Sequence, residues 1–455
     1  MRLISVFALC IVVACAPLPS QEVSKSYVEP SGAVLQRPVV QGFATAPGSP
    51  VTRSNTAIAA DFLDLTFRME SGRTLPALSR FDGPITVALS GDVPATARTD
   101  LSRLMQRFRN EAGLDMRAAE PGQRASINIQ FYTRAEMQRV VPTAACFVVP
   151  RAMSLTEYRN RRNSAFVDWG TLVRRESVSI FMPSDTSPQE VRDCLHEETA
   201  QAMGPLNDLY RLSDSVFNDD NFNTVLTGFD MLMLRVHYAP ELSNGMNEAE
   251  VAKRLPALLA RLNPAGEFAG IRPGPIAPRS WNNAVAQAFG KGAAARQNGA
   301  DAMLALAKAQ GWTDSRLGFA YFAVGRVNAA ANPKIAVVAF AEAAKVYRSL
   351  PGAAIQTAHV DMQMAALALS AGQPQQAIQF ADRAMPAVKR AENASLLATL
   401  MLVKAEALEA LGREDEARAV RLDSRGWARY GFGAEPQVRA RTSEIAALAA
   451  RGNRS

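Results

Sequence analysis

The sequence predicts an α+β domain over residues 57–262 followed by an all-α helical-repeat domain over residues 280–433. Three observations predict this order. Short runs of β-branched and aromatic residues are confined to the first half. The second half is rich in Ala, Leu and Gln and repeats itself at a fixed spacing. Between them, residues 263–279 carry four Pro and three Gly, the composition of a linker.

Residues 1–15 read as a lipoprotein signal peptide. Arg2 gives a positive start, and Leu3 to Ala14 is an almost unbroken apolar run. That run is too short to span a bilayer and suits a signal-peptide core. Val12-Val13-Ala14-Cys15 has the form of a lipobox, in which Cys15 takes the lipid and becomes the new N-terminus. Ala14-Cys15-Ala16 also suits an ordinary signal peptidase. An anchor with several acyl chains holds stably, since each buried CH₂ contributes about 0.8 kcal/mol. The expected location is therefore the cell envelope, with the chain lipid-anchored at the outer membrane and facing the periplasm. Residues 16–55, rich in Pro, Ser, Val and Gly, read as a flexible tether.

Of four Cys, Cys10 leaves with the signal and Cys15 carries the lipid. In an oxidising compartment Cys146 and Cys194 are expected to pair, with two buried thiols as the alternative. The loop they close would constrain the unfolded chain by about 4 kcal/mol. A net charge of +7 with 20% charged residues is a mild basic excess. Nucleic acid is not expected as a partner, and a cell-wall polymer or anionic lipid has the fitting sign. Residues 434–455 form a basic tail, expected to be partly helical.

In the α+β domain, Ile85–Leu89, Ile127–Tyr132, Cys146–Val149 and Val178–Met182 read as strands. Leu101, Leu104, Met105 and Phe108 recur at helical spacing, so residues 95–113 read as a helix closed by Gly113. Ser187-Pro188-Gln189-Glu190 reads as a capping box with Pro at the first helical position. Gly204-Pro205 is a stop signal for the helix that follows.

That helix carries the candidate site. Residues 197–207 read Glu-Glu-Thr-Ala-Gln-Ala-Met-Gly-Pro-Leu-Asn. The metzincin protease pattern is His-Glu-x-x-His-x-x-Gly-x-x-His, in which His holds zinc and Glu works on water. The segment resembles this pattern with the ligands exchanged. Glu198 takes the place of the catalytic Glu and Gly204 that of the turn Gly. Glu197, Gln201 and Asn207 replace the three His. A catalytic zinc site needs three ligands and an open position. The chain holds only three His. His196 is out of frame, His237 sits in the apolar stretch 232–238 and reads as a structural His, and His359 lies far along the chain in the repeat region. No metal or other cofactor is assigned, and zinc is disfavoured. Glu197, Gln201 and Asn207 or Asp208 offer oxygen atoms, which suit a hard cation rather than zinc. The plainer expectation is a buried polar network tying the helix to the next loop. Asn207 to Asn221 lacks EF-hand spacing and reads as an ordinary loop.

In the second half, Phe340-Ala-Glu-Ala-Ala and Phe380-Ala-Asp-Arg-Ala lie forty residues apart. Asn332, Gly372 and Gly412 keep that period as turn residues, as do Val337, Ala377 and Ala417. Each unit reads as a helical hairpin, and Ala-Leu-Gly-Arg-Glu-Asp-Glu-Ala at 410–417 resembles a tetratricopeptide turn. Such hairpins stack into a solenoid, whose concave face commonly binds peptide. A purely structural bundle is the alternative.

Taken with the signal, the motif set Glu-Glu-x-x-Gln-x-x-Gly-x-x-Asn-Asp, Asp214–Asn218, Leu226-Thr-x-x-Asp230, Tyr238-Ala-Pro and Gly245-Met246 resembles a bacterial envelope family of unknown function, domain family 2927. The resemblance covers about residues 80–247 and implies a degenerate zincin-like fold. It transfers no catalytic residue. His237-Tyr238-Ala239 departs from the Leu-Tyr-Asp expected there. The sequence thus points to a non-catalytic scaffold with a pseudo-metallopeptidase domain and a protein or peptide partner on its repeats. A peptidase with atypical ligands and a peptidoglycan-binding module are the alternatives.

Overall fold

A computed structural model describes residues 51–452 apart from Pro121 and Ile271. The expected signal peptide, Cys15 and nearly all of the tether lie outside the described residues. The first unit runs α1 (Asn55–Phe67), β1 (Ile85–Gly91), α2 (Ala97–Ala112), β2 (Met116–Ala118), β3 (Ile127–Tyr132), α3 (Arg134–Gln138), β4 (Phe147–Pro150), α4 (Leu155–Arg161), β5 (Val178–Pro183), α5 (Pro188–Met203), α6 (Gly228–His237) and α7 (Glu248–Leu262).

The sheet has the order β2-β1-β3-β5-β4. The first four strands are parallel, and β4 runs antiparallel at one edge. All six residues of β5 are buried. Their alternation explains why: Val178, Ile180 and Met182 enter the main core with Ile127 and Ile129, while Phe181 enters a second cluster with Met137, Val149 and Leu155. Both faces are therefore covered, as parallel strands require. The three-residue strand β2 carries too few residues to give a periodic signal. Gly113 closes α2 in the left-handed region, with φ 70°.

The second unit contains α8 (Arg279–Ala288), α9 (Ala293–Ala309), α10 (Ser315–Asn328), α11 (Pro333–Ser349), α12 (Ala354–Ser370), α13 (Pro374–Arg390), α14 (Ala394–Ala410), α15 (Glu414–Phe432) and α16 (Glu435–Gly452). The pairs α10–α11, α12–α13 and α14–α15 are successive hairpins. Gly372 and Gly412 turn through the left-handed region, at φ 68° and 72°. Asn332 does not; it stands at φ −136°, immediately before Pro333 opens α11. The first hairpin is also one residue out of register with the forty-residue period. Ala377 and Ala417 are fully buried, but their counterpart is buried Ala336, while Val337 is exposed. Residues 435–452 are helical throughout and pack across α12 and α14, with Ile445 fully buried.

The two units are joined by a buried interface. The irregular segment 204–227 leaves α5 and presses Phe222 against Phe319, Phe322, Tyr347 and His359. Tyr210 meets Trp281 and Phe319. Polar contacts reinforce this. Gln356 Nε2 donates to Ser213 O at 2.7 Å, and Ser213 Oγ donates to Pro351 O at 2.8 Å. Gln189 on α5 bonds Asn393 and the backbone N–H of Ser395, and Tyr430 donates to Asp100. Residues 207–221, read as an ordinary loop, do lack regular structure, and they are largely buried as part of this wedge. Apolar Tyr210 and Phe222 punctuate its acidic residues and make burial favourable.

Candidate functional site

Helix α5 is fixed at three places. At its start, Ser187 accepts from Glu190 N–H at 3.2 Å. The Glu190 side chain turns to Arg134 and Thr186 instead of closing a reciprocal capping box. In its middle, Cys194 is disulfide-bonded to Cys146, which ties α5 to the start of β4. At its end, the guanidinium of buried Arg175 donates to the carbonyls of Gln201, Ala202 and Gly204 at 2.7, 2.6 and 2.7 Å. A helix C-terminus leaves its last carbonyls without intrahelical partners and carries partial negative charge. Arg175 meets both needs, and burial lowers its pKa to about 10. Arg175 also lies over the ring of Trp169. No sequence pattern marks it, because its partners are backbone atoms.

Gly204 is required by a close approach. A Cβ there would lie 2.9 Å from ring atoms of His237. His237 is fully buried, bonds Ser79 O at 3.1 Å and is held neutral, with burial lowering its pKa to about 3.

The sequence-derived site residues separate into two groups. Gln201 donates to Asp208 Oδ2 at 3.4 Å. Asn207 donates to Asp64 O at 3.0 Å, which fastens the loop to α1. These amides form the hydrogen bonds of a structural network. His196 accepts from Leu226 N–H through Nδ1 at 3.1 Å. Burial, then Arg107 and Arg192, keep it neutral.

The second group is a cluster of carboxylates. Glu198 is 5% exposed and Asp208 8% exposed, and Glu198 Oε2 and Asp208 Oδ1 have no hydrogen-bond partner. Glu197 is half-buried between them and the surface. Two further acids that sequence reasoning did not assign to the site complete the cluster at its rim. They are Glu70, just after α1, and Asp219 on the wedge, which accepts from Tyr210 Oη at 3.1 Å. Asp219 had a weak signal in the acidic run after Asn207. Glu70 had none, since it lies more than a hundred residues upstream.

Burial first, and mutual repulsion second, raise these groups. Glu197 is pushed up to about 8 by burial, then by Asp219, Glu70 and Asp193. Glu198 and Asp208 rise well above the ordinary carboxylate range for the same reasons. Glu70 is itself raised, chiefly by burial and then by Asp219, and its charge helps raise Asp208.

These residues do not fit zinc. Two of the three positions given to His in the protease pattern carry amides, both engaged elsewhere. Among the described residues, no three His, Cys, Asp or Glu side chains are grouped so as to hold a metal ion. The frame nonetheless places an acid-bearing helix directly after a buried strand and follows it with a Gly turn and an Asn-Asp loop. Residues 55–257 match the family described as protein of unknown function, DUF2927. The DUF2927 region thus holds the whole sheet, α5 and all the acids of the cluster, and ends inside α7. Searches among curated proteins and solved structures give no match. The family is known by its residues and not by an activity.

Proposed function

We propose that this chain is a lipid-anchored envelope protein in which the DUF2927 region is a zincin-like frame without zinc chemistry. The helical hairpins then serve as its partner-binding scaffold. One observation carries this reading: the amides of Gln201 and Asn207 are bound to Asp208 and to the α1 backbone, where a peptidase would present imidazoles. The helix is kept as structure while its ligand set is not. The partner surface is expected on the exposed faces of α11, α13 and α15, away from the wedge and from α5. Ile335 and Val338 on α11 and Leu422 on α15 are exposed there. A depression of about 330 Å³ between α11, α12 and α13, with Asp361 and Arg383 in its wall, offers a peptide-sized foothold.

Elemental analysis of the purified chain tests the reading. It predicts no stoichiometric zinc, and Glu198→Gln that leaves any cellular phenotype of the protein intact. Zinc at one equivalent, with hydrolysis abolished by Glu198→Gln, would establish the peptidase alternative. Membrane fractionation of Cys15→Ser tests the anchor: the variant should leave the membrane pellet.

A further inference from the structure

We propose that the turn between α13 and α14 is a latch that clamps the helical unit onto α5, with Glu392 as its working residue. The turns after α12, α13 and α14 share one hydrogen-bond pattern. The N–H groups of Gln373, Asn393 and Arg413 bond Ala368 O, Val388 O and Leu408 O, and those of Gly372, Glu392 and Gly412 bond Leu369 O, Lys389 O and Glu409 O. This pattern sets the residue after the helix in the left-handed region, where Gly is the usual occupant. Gly372 and Gly412 take that place at φ 68° and 72°, and Glu392 takes it at φ 54°. A side chain there is strained, and such strain persists where the surroundings hold the residue.

Helix α5 supplies those surroundings. The Glu392 carbonyl accepts from Arg192 Nη2 at 2.7 Å, and the Glu392 carboxylate lies 3.7 Å from Arg192 Nη1. Arg192 is buried and stands over the ring of Tyr430 on α15. Arg103 and Arg107 of α2 add positive charge beside the carboxylate. One turn earlier on α5, Gln189 donates to Asn393 Oδ1 at 3.1 Å and accepts from Ser395 N–H at 2.7 Å. Asn393 Oδ1 also accepts from Leu396 N–H at 2.9 Å, which caps α14. Around Gly412 there is open space instead: a Cβ there would meet nothing within 4 Å. Glu392 thus strains its own turn and is held there by what it gives to the interface.

Helix α13 belongs to the exposed face expected to carry a partner, and its last residues run directly into the latch. Partner contact on α13 is thereby joined to α5 through packed residues. That consequence rests on the scaffold reading, whereas the latch itself is tested with no partner present.

Full-length Glu392→Gly, Glu392→Gln and Gly412→Glu are compared with the parent by urea unfolding and hydrogen exchange. The Gly variant relieves the turn and removes the carboxylate, while the Gln variant keeps the strain and removes the charge. Urea midpoints should fall in the order parent, Glu392→Gly, Glu392→Gln. In both Glu392 variants, amides of α5 and of the start of α14 should exchange at least about fivefold faster, with β3 unchanged. Gly412→Glu is strained but stands away from α5, so it should lower the midpoint and leave α5 exchange as in the parent. A Glu392→Gly midpoint at or above that of the parent overturns the latch. So does parent-like α5 exchange in both Glu392 variants, or an equal acceleration in Gly412→Glu. Any of these leaves the scaffold reading standing. Stoichiometric zinc in the same preparations would overturn the scaffold reading and leave the latch in place.

Discussion

Arg175 is buried without a carboxylate partner, and the partial negative charge at the end of α5 takes that role. Three carbonyls receive its guanidinium at 2.6 to 2.7 Å, and Ser79 receives Nε at 3.3 Å. Arg175→Met keeps much of the volume and leaves those carbonyls facing an apolar chain. A buried hydrogen-bonding group left unsatisfied costs about 1–3 kcal/mol. The variant should therefore lose about 3 kcal/mol or more in urea unfolding, while Arg174→Met, one residue away and exposed, should change little. A loss below about 1 kcal/mol would show that water replaces the guanidinium. The same residue shows why the site was only partly legible. Glu197, Glu198, Gln201, Gly204, Asn207 and Asp208 lie within one turn-and-loop motif whose spacing can be read directly. Arg175 reaches the end of α5, and Glu70 reaches the acids on α5, through tertiary folding. A single chain gives no local signal for a contact with distant backbone or a distant acid.

At the scale of elements, periodicity explains which pieces were readable. Strands β1, β3 and β5 are long enough to show their apolar runs, and α2 repeats its buried Leu and Phe at helical spacing. The wedge 204–227 has no period, and its acids make it resemble solvated loop. Its burial depends on two aromatic side chains finding pockets in another unit. Phe222 is 2% exposed and touches residues of α10, α11 and α12. Truncating a buried Phe to Ala typically costs about 3–5 kcal/mol. Phe222→Ala should therefore lower stability by that order and loosen the wedge. Hydrogen exchange would register it as faster amide exchange across residues 207–224 and at the start of α12, with β3 and β5 still protected. Uniform acceleration over the whole chain would mean instead that the wedge and the sheet open together.

For the whole molecule, buried ionisable groups in both units set the pH of greatest stability. Asp193 is raised to about 7, first by burial, with Arg192, Gln189 and Thr224 opposing and Glu197 as its acidic neighbour. Asp230 is raised to about 6 by burial, against hydrogen bonds from Ser215, Thr227 and Val216. A carboxyl raised in the folded state contributes stability that is full below its unfolded pKa and is lost as pH climbs through the folded value. These two groups therefore weaken the protein progressively as pH rises from about 4, and their losses are complete near 7 and 6. The histidines act oppositely. His196 is lowered well below its ordinary value, and His237 and His359 to about 3, chiefly by burial. The folded chain keeps them neutral while the unfolded chain binds protons below about pH 6.5. Acidification from 6.5 toward 4 thus favours unfolding by up to about 1.4 kcal/mol per pH unit for each histidine. The two windows overlap between about pH 4 and 6.5, where the opposing slopes partly cancel, and Glu197 and Asp220, each raised to about 8, extend the falling side. Asp193→Asn should remove a falling contribution to the urea midpoint between about pH 4 and 7, and His359→Gln a rising one between about pH 3 and 6.5, whatever each does to absolute stability. His359 belongs to α12 and Asp193 to α5, so seeing both slopes in one cooperative transition would also establish that the sheet unit and the helical unit unfold as a single body.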